Sequence, residues 1–257
     1  KRRLRKNFEK KINKKYLMNI DYIYDSCVEV VINAGNNLLE AKNNSYKILR
    51  KSEFELVTEL DMKIQGYIIS ELGKVHKVEV ITEEVRKPQA TNFAECFILD
   101  PIDGTHNLIA GFHIYGISLA YVLNKEVIFG IAYFPELELL YCALKGKGAY
   151  KNNCRISVSG NNTLKKSMVS YDNHFPKKPD INGYFNKLNN KIFAIRLTGS
   201  AVFDGCQVAE GVFDARILNE TKLCDVAANI IIVQEAGGHI SNFIGNDILL
   251  IQKTRVQ

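Results

Sequence analysis

The chain has 257 residues, 46% of them hydrophobic, and a formal net charge of +6. This is enough for one large or two small domains with a buried core, and no apolar run approaches the ~18 residues that a membrane span needs. The positive charge is confined to one end. Residues 1–15 contain nine Lys or Arg against one Glu, a net of +8, which leaves −2 for the rest of the chain.

The basic segment, residues 1–17, lacks the apolar stretch of a signal peptide. We predict a disordered extension, because charged chain ends tend to stay disordered. The alternative is a contact with nucleic acid or an acidic membrane surface. The six Cys form no Cys-x-x-Cys pair and lie mostly in apolar runs, which predicts buried thiols and a reducing, cytoplasmic location.

Several classes of function have no motif in this chain. The five His show no i,i+4 pair, so a zinc site is not supported. There is no Gly-x-Gly-x-x-Gly, no P-loop and no Gly-x-Ser-x-Gly elbow. These absences argue against dinucleotide binding, NTP hydrolysis and Ser-hydrolase chemistry.

The hydrophobic pattern predicts two mixed halves. The first half, residues 18–160, has helices over 20–41 and 56–72, strands near 78–82 and 95–99, and an antiparallel meander over 114–123, 127–134 and 139–144. The second half, residues 161–257, alternates strands near 167–171, 192–197 and 212–217 with helices over 180–188, 200–210 and 224–238. We therefore expect an N-terminal α+β half and a C-terminal α/β half.

The most informative stretch is Asp100-Pro101-Ile102-Asp103-Gly104-Thr105, which follows an apolar strand. We predict that the strand ends at Asp100, that Pro101 turns the chain, and that both carboxylates project into one cleft. Hard oxygen ligands at a strand end suit a magnesium-type ion that grips phosphate. The alternative is an Asp-Gly turn with no chemical role.

Two further acidic positions support a site. Glu83 and Glu84 follow the strand near 78–82, although adjacent acids there are also typical of a solvated turn. Asp225 opens the helix over 224–238, where Asp is ordinarily an N-cap. Each position alone is a weak signal.

Together these segments resemble the inositol monophosphatase family. The resemblance runs from about Ile20 to Ser241. It is carried by Glu83-Glu84 after a strand, by the Asp100–Thr105 motif, and by Asp225-Val226-Ala227-Ala228 ahead of Glu235-Ala236-Gly237-Gly238. It also includes the segments 56–61, 146–150, 199–201 and 208–211. It implies a layered α-β-α-β-α sandwich of the inositol monophosphatase and fructose-1,6-bisphosphatase type.

The resemblance implies a Mg²⁺-dependent, lithium-sensitive phosphomonoesterase. Two or three Mg²⁺ ions would be held by Glu83, Asp100, the carbonyl of Ile102, Asp103 and Asp225. Glu83, Thr105 and Asp61 would be catalytic, with Thr105 orienting the attacking water and Asp61 behind it. Without the resemblance, Asp61 would be an exposed helix residue. Asp103, Gly104, Thr105, Gly199, Ser200 and Ala201 would contact the substrate.

The substrate is left more open than the metal site. The position of the family's ring-binding Glu is Leu218 here, Thr82 replaces a common Gly, and Cys224 replaces a common Trp. Inositol-1-phosphate or a related sugar phosphate is the expected substrate. Fructose-1,6-bisphosphate and adenosine 3′,5′-bisphosphate are alternatives. Arg196 and Arg216 are either contacts for a second phosphate or ordinary surface residues.

Three expectations concern partners and stability. Members of the family are commonly homodimers, so a homodimer is expected. Some bacterial members bind RNA or the transcription machinery, which gives the basic segment a possible role in a regulatory, non-catalytic alternative. The family normally adds a strand and a helix after the position of Asp247, so reduced stability is also expected.

Overall fold

A computed structural model describes residues 14–50, 56–82, 94–171, 180–218 and 221–246. Glu83, the basic residues 1–13 and residues 247–257 lie outside these ranges, so the predictions that concern them are not addressed by the structure. Across the described ranges, no helix combines the length and apolar character that crossing a bilayer requires.

The described helices and strands follow one another in the following order. The elements are α1 (Lys14–Lys42), β1 (Ile48–Arg50), β2 (Leu56–Thr58), α2 (Glu59–Val75), β3 (Glu79–Thr82), β4 (Glu95–Asp103), α3 (Thr105–Ala110), β5 (Gly116–Leu123), β6 (Glu126–Phe134), β7 (Leu139–Leu144), β8 (Gly148–Lys151), β9 (Cys154–Arg155), β10 (Met168–Tyr171), α4 (Asp180–Asn189), β11 (Ala194–Arg196), α5 (Ala201–Glu210), β12 (Ala215–Ile217) and α6 (Ala227–Glu235).

A seven-stranded sheet forms the centre of the first half. Its strand order is β3-β4-β5-β6-β7-β8-β9, and all neighbours are antiparallel except β3 and β4. The predicted meander is confirmed. Gly130 of β6 lies against α6, where a Cβ would be 2.5 Å from the carbonyl oxygen of Ala228. The missing side chain therefore lets this helix pack closely on the sheet.

The two faces of this sheet are covered by different helices. Successive side chains of a strand point to opposite faces, so Phe97 and Leu99 of β4 pack with α1 and α2. Cys96 and Ile98 pack on the other face with α5 and α6. These two apolar layers produce the helix–sheet–helix part of the predicted sandwich.

A second sheet of three parallel strands has the order β11-β10-β12. Its strands alternate along the chain with α4 and α5, as the sequence predicts for the second half. Ligands of parallel α/β sheets bind beyond the carboxyl ends of the strands. The loop that follows β11 leads directly to the N-terminus of α5, which lies at that edge.

Four sequence predictions are wrong in detail. The strand that was expected to end at Asp100 continues as β4 to Asp103, with a shift in its register against β5 between these residues. The chain therefore does not turn at Pro101; a local bulge reorients it instead. Residues 56–58, predicted as helix, form the edge strand β2 paired with β1. Cys154 is exposed, whereas the other five Cys are buried.

The fourth difference concerns the basic segment. Helix α1 begins at Lys14, so the last residues of the predicted disordered extension are helical. The division of the chain at residue 160 stays a prediction.

Candidate active site

The end of β4 places Asp103 at the centre of the site. Asp103 is 5% exposed, and the next residue, Gly104, has a positive φ of 84°. A Cβ on Gly104 would lie 2.8 Å from the carbonyl oxygen of Ile114. Both the left-handed backbone and the close approach require glycine. Gly104 therefore lets the chain pass directly from β4 into α3 without moving the Asp103 carboxylate.

The Asp103 carboxylate binds the N-terminus of α5. The backbone N–H groups of Ala201 and Val202 donate to its two oxygens at 2.9 and 3.1 Å, and the Ser200 hydroxyl donates to the second oxygen. Ser200 is also the N-cap of α5, because its oxygen accepts from the N–H of Phe203 at 3.1 Å. A helix N-terminus carries unpaired N–H groups and a positive dipole end, which favours an anion.

Despite these donors, the surroundings of Asp103 disfavour the ionised form of its carboxyl group. Burial raises its pKa to about 7, from an ordinary value of 3.8. The Ser200 bond lowers the pKa, the nearby charge of Asp225 raises it, and the Arg216 guanidinium lowers it. Burial and the second carboxylate together outweigh the donors. Asp103 and Asp225, from opposite halves of the chain, therefore lie within electrostatic reach of each other.

Asp225 is not the N-cap of the last helix, which was the alternative to its expected role as a metal ligand. Helix α6 begins at Ala227, and its N-cap, Val226, makes no side-chain cap bond. Asp225 lies in the preceding turn, where its Oδ2 accepts from the Thr221 hydroxyl and the Lys222 N–H, each at 2.9 Å. These two bonds hold the carboxylate in the turn that precedes the helix.

A second group of residues links Asp100 to Asp61. The N–H of Ile102 donates to Asp100 Oδ1 at 3.1 Å. Thr105 Oγ1 lies 2.9 Å from the Ile102 carbonyl oxygen and 3.1 Å from Asp61 Oδ1. A hydroxyl has a single proton, so Thr105 donates to only one of these two oxygens at a time and keeps lone pairs free.

Asp61 is buried, so the alternative of an exposed helix residue does not hold. Its Oδ2 accepts from both the N–H and the hydroxyl of Thr58, at 2.7 and 2.6 Å. Thr58 in turn caps α2, so the two residues form a capping box. The Thr-x-x-Asp spacing is a sequence signal for this motif. Asp61 therefore combines a structural role with its contact to Thr105.

Sequence reasoning missed Asn107, on α3. Its amide Nδ2 donates to the carbonyl of Ile114 at 2.7 Å and to that of Thr198 at 2.8 Å. The second bond reaches the loop before α5, which also contains Gly199. A Cβ on Gly199 would lie 2.8 Å from Asn107 Oδ1. No local pattern in the sequence predicts a contact between residues so far apart.

The residues considered for substrate recognition are not equivalent. Arg196 is exposed, and its Nη1 bonds only the carbonyl of Ile195. Arg216, on β12, pairs with Ser170 of the neighbouring strand β10. Among the described residues, its Nε and Nη1 are buried and have no hydrogen-bond partner. Leu218 follows the end of β12 and is partly buried. His106 is exposed.

The oxygen donors of the site suit a hard cation, but the described acidic side chains do not form a complete set of metal ligands. Asp100, Asp103, Asp225 and the Ile102 carbonyl offer only oxygen, which suits Mg²⁺. Within the described ranges, no three acidic, Cys or His side chains lie close enough together to hold a metal. Of the four expected carboxylates, Asp103 and Asp225 lie within electrostatic reach of each other, and Glu83 lies outside the described residues. Burial, and to a smaller extent the charge of Asp225, raises the pKa of Asp103.

Comparison with known proteins gives consistent matches. A fructose-1,6-bisphosphatase/inositol-1-monophosphatase from Aquifex aeolicus is 32% identical over 221 residues, covering 84% of each chain. An inositol monophosphatase from Dictyostelium discoideum is 30% identical over 228 residues, covering 85% of this chain and 84% of that protein. Both alignments cover most of the two proteins compared.

Solved structures confirm the predicted layered fold. The extragenic suppressor protein suhB of Bartonella henselae superposes with a TM-score of 0.81 at 27% identity, covering 87% of this chain and 88% of the other. The model of the inositol monophosphatase family matches residues 19–256. Enzymes named inositol monophosphatases are phosphoric monoester hydrolases, and the family is generally metal-dependent. This chain belongs to the inositol monophosphatase family.

Proposed function

We propose that this protein is a Mg²⁺-dependent phosphomonoesterase that acts on inositol-1-phosphate or a related sugar phosphate. The observation that carries the proposal is the pairing of Asp103 with Asp225, two carboxylates from different halves of the chain that raise each other's cost of ionisation. A divalent cation between them removes that cost. Membership in a phosphatase family supplies the reaction class.

The residues that would hold the ions are those named from the sequence. Asp100, the carbonyl of Ile102, Asp103 and Asp225 lie in the described part of the chain, and Glu83 completes the proposed set. In such a site, bound Mg²⁺ lowers the pKa of water and neutralises charge on the reacting phosphate and the leaving oxygen.

Thr105 and Asp61 are proposed to position the attacking water. Thr105 Oγ1 has acceptors on two sides, Asp61 and the Ile102 carbonyl. The hydroxyl can therefore accept a proton from the water while passing its own proton towards Asp61. Asp61 is anchored by Thr58, so it keeps this geometry at little entropic cost during the reaction.

Phosphate and alcohol are proposed to bind on opposite sides of Asp103. The N–H groups of Gly104 and Thr105 would hold phosphate oxygens. Gly199, Ser200 and Ala201 would face the alcohol of the substrate. Ser200 and Ala201 both donate to Asp103 in the described arrangement. A substrate hydroxyl at this place would meet the same donors.

The identity of the alcohol is proposed to depend on the residues at and just after the end of β12. Leu218 offers no hydrogen bond to a polyol, and the named Aquifex relative acts on both an inositol phosphate and a sugar bisphosphate. Inositol-1-phosphate, fructose-1,6-bisphosphate and adenosine 3′,5′-bisphosphate therefore form the panel to be tested. The Arg216 guanidinium lowers the pKa of Asp103 and so lies within electrostatic reach of the proposed site, which favours Arg216 over Arg196 as a contact for a second phosphate.

The experiment is a measurement of phosphate release from this panel with Mg²⁺, and again after excess EDTA. We expect activity on at least one substrate, lost with EDTA and restored by added Mg²⁺. The same assay is run on Asp103→Asn, which changes a proposed metal ligand. Its matched control is Glu95→Gln, because both variants remove one carboxylate from β4. Full activity in EDTA, or no release from any of the three substrates, would refute the proposal.

A further inference from the structure

Two contacts join the segment from Asp103, at the end of β4, to Asn107, on α3, with the segment Thr198–Val202. We call Thr198–Val202 the α5 entry loop. The first is the Asp103 carboxylate, which takes the N–H groups of Ala201 and Val202 and the hydroxyl of Ser200. The second is the Asn107 amide, which bridges the carbonyls of Ile114 and Thr198. One contact is charged, and the other is neutral.

The Asn107 contact is closely fitted. Gly199 has a φ of 78°, and the space that its Cβ would occupy is filled by the Asn107 amide, 2.8 Å from Oδ1 and 3.2 Å from Nδ2. The entry loop therefore lies directly on the side chain. Both described hydrogen bonds of Asn107 go from Nδ2 to backbone carbonyls, which points to a role in holding the loop.

A cation at the site would affect the two contacts differently. Asp103 has two oxygens, and three protein donors already use them. These donors leave about one of the carboxylate's four lone-pair sites, and a divalent ion ligated there would draw on the same negative charge and so weaken the bonds to α5. The N-terminus of α5 then loses much of its anionic partner. Asn107 binds only carbonyl oxygens, so its bonds are unchanged.

We propose that Asn107 is a positioning residue that keeps the α5 entry loop docked when a divalent cation draws Asp103 away from α5. The inference rests on the proposed function in one respect, namely that Asp103 ligates the cation. It assigns a task to a residue that touches neither cation nor substrate.

This arrangement couples cation binding to the loop. With Asn107 present, Asp103 can release the N–H of Ala201 and the hydroxyl of Ser200 without loss of their position. Both donors then become available to the alcohol of the substrate. Without Asn107, cation binding would undock the loop. The cation would bind more weakly, and the substrate would meet a displaced set of donors.

The test compares Asn107→Leu with Asn161→Ala. Leu has nearly the shape of Asn but no donor, so packing against Gly199 is kept. Asn161 makes comparable local bonds, to Ser167 and Thr163, at the opposite end of the second sheet. Thermal melts of each protein in EDTA and across a Mg²⁺ titration give the apparent Mg²⁺ affinity. Phosphate release gives KM and kcat.

For Asn107→Leu we expect Mg²⁺ affinity to fall about fivefold to tenfold, the effect of about one lost hydrogen bond. KM rises by a similar factor, and kcat changes much less. Asn161→Ala loses stability in EDTA but keeps the full Mg²⁺-induced rise in melting temperature. Asn107→Ala is the second variant if the leucine prevents folding.

Two results would overturn the inference, and they are distinguishable. If Mg²⁺ stabilises the wild type and Asn107→Leu equally, the amide is a purely structural contact. If Mg²⁺ does not stabilise the wild type at all, the proposed function fails and the inference fails with it.

Discussion

Strand β4 begins with Glu95 and ends with Asp103, so the same strand carries a carboxylate at each end. At the first end, Glu95 Oε1 accepts from the Tyr121 hydroxyl and lies 2.7 Å from His76 Nε2. Partial burial alone would raise the pKa of Glu95, but these two partners outweigh it and the pKa is lowered.

Asp103 has more donors than Glu95 and yet the opposite shift. Complete burial and the charge of Asp225 raise its pKa to about 7. The comparison teaches that hydrogen bonds alone do not stabilise a buried carboxylate that faces another one. Glu95 is stabilised in its ionised form by its partners, whereas the ionised form of Asp103 is disfavoured, as expected for a carboxylate proposed to ligate a cation.

The largest expected effect is that of Asp103→Asn on catalysis. Loss of a charged metal ligand should lower kcat/KM by at least ~100-fold, while Glu95→Gln leaves it within about threefold, since its contacts are remote from the reaction. Phosphate release at saturating Mg²⁺ measures both. Equal losses in the two variants would remove the functional distinction between the ends of β4.

The second effect is on stability against pH in EDTA. Asp103 has a raised folded pKa, so folding takes up a proton between the unfolded value of about 3.9 and about 7. Its contribution to the free energy of unfolding is therefore present at low pH and is lost as the pH rises through this window. Urea unfolding from pH 5 to 8 should show this loss in the wild type but not in Asp103→Asn. An identical slope in the two proteins would contradict the charge assignment.

The third effect is that of Thr105→Val, which keeps the shape of the side chain and removes the hydroxyl between Asp61 and Ile102. We expect kcat to fall about 100-fold, the lower end of the contribution that is typical of a group that handles a proton. Mg²⁺ affinity, read from the thermal shift, should stay near the wild-type value. A variant with unchanged kcat would exclude Thr105 from positioning water.

The smallest effect is that of Glu95→Gln on stability. Its lowered folded pKa means that its contribution is present above the unfolded pKa and is lost as the pH falls through the folded value. Because the Glu95 side chain is partly exposed to solvent, the loss at neutral pH should be only about 0.5–1 kcal/mol in urea unfolding. The difference in the free energy of unfolding between Glu95→Gln and the wild type should shrink as the pH falls. The contribution of Asp103, in contrast, is lost as the pH rises.

The sequence predicted the parts of the fold that depend on regular periodicity. The meander of β5 to β7 and the alternation after residue 160 follow from strand and helix patterns, and both are present. Residues 56–58 were predicted wrongly because the apolar spacing of α2 continues through them. Their pairing with β1 is a tertiary contact that no helical pattern reveals.

The candidate site was predictable to the level of residues but not of contacts. The motif around Asp103 and the position of Asp225 identify the acids. The sequence could not reveal that Asp225 accepts hydrogen bonds within its own turn, from Thr221 and Lys222. Nor could it reveal that N–H groups at the N-terminus of α5 donate to the Asp103 carboxylate. Asn107 was missed because its partner Thr198 is far away in the chain. Local propensity carries no information on such pairs.

The most direct test of the central claim is an anomalous scattering experiment on crystals grown with Mn²⁺ in place of Mg²⁺. The account predicts a peak between Asp103 and Asp225, with ligand oxygens at about the distance expected for a small divalent ion, ~2.1 Å. The same crystals should show Asp103 turned from the N–H groups of α5. An active protein with no peak at these carboxylates, or with the metal bound elsewhere, would contradict the account.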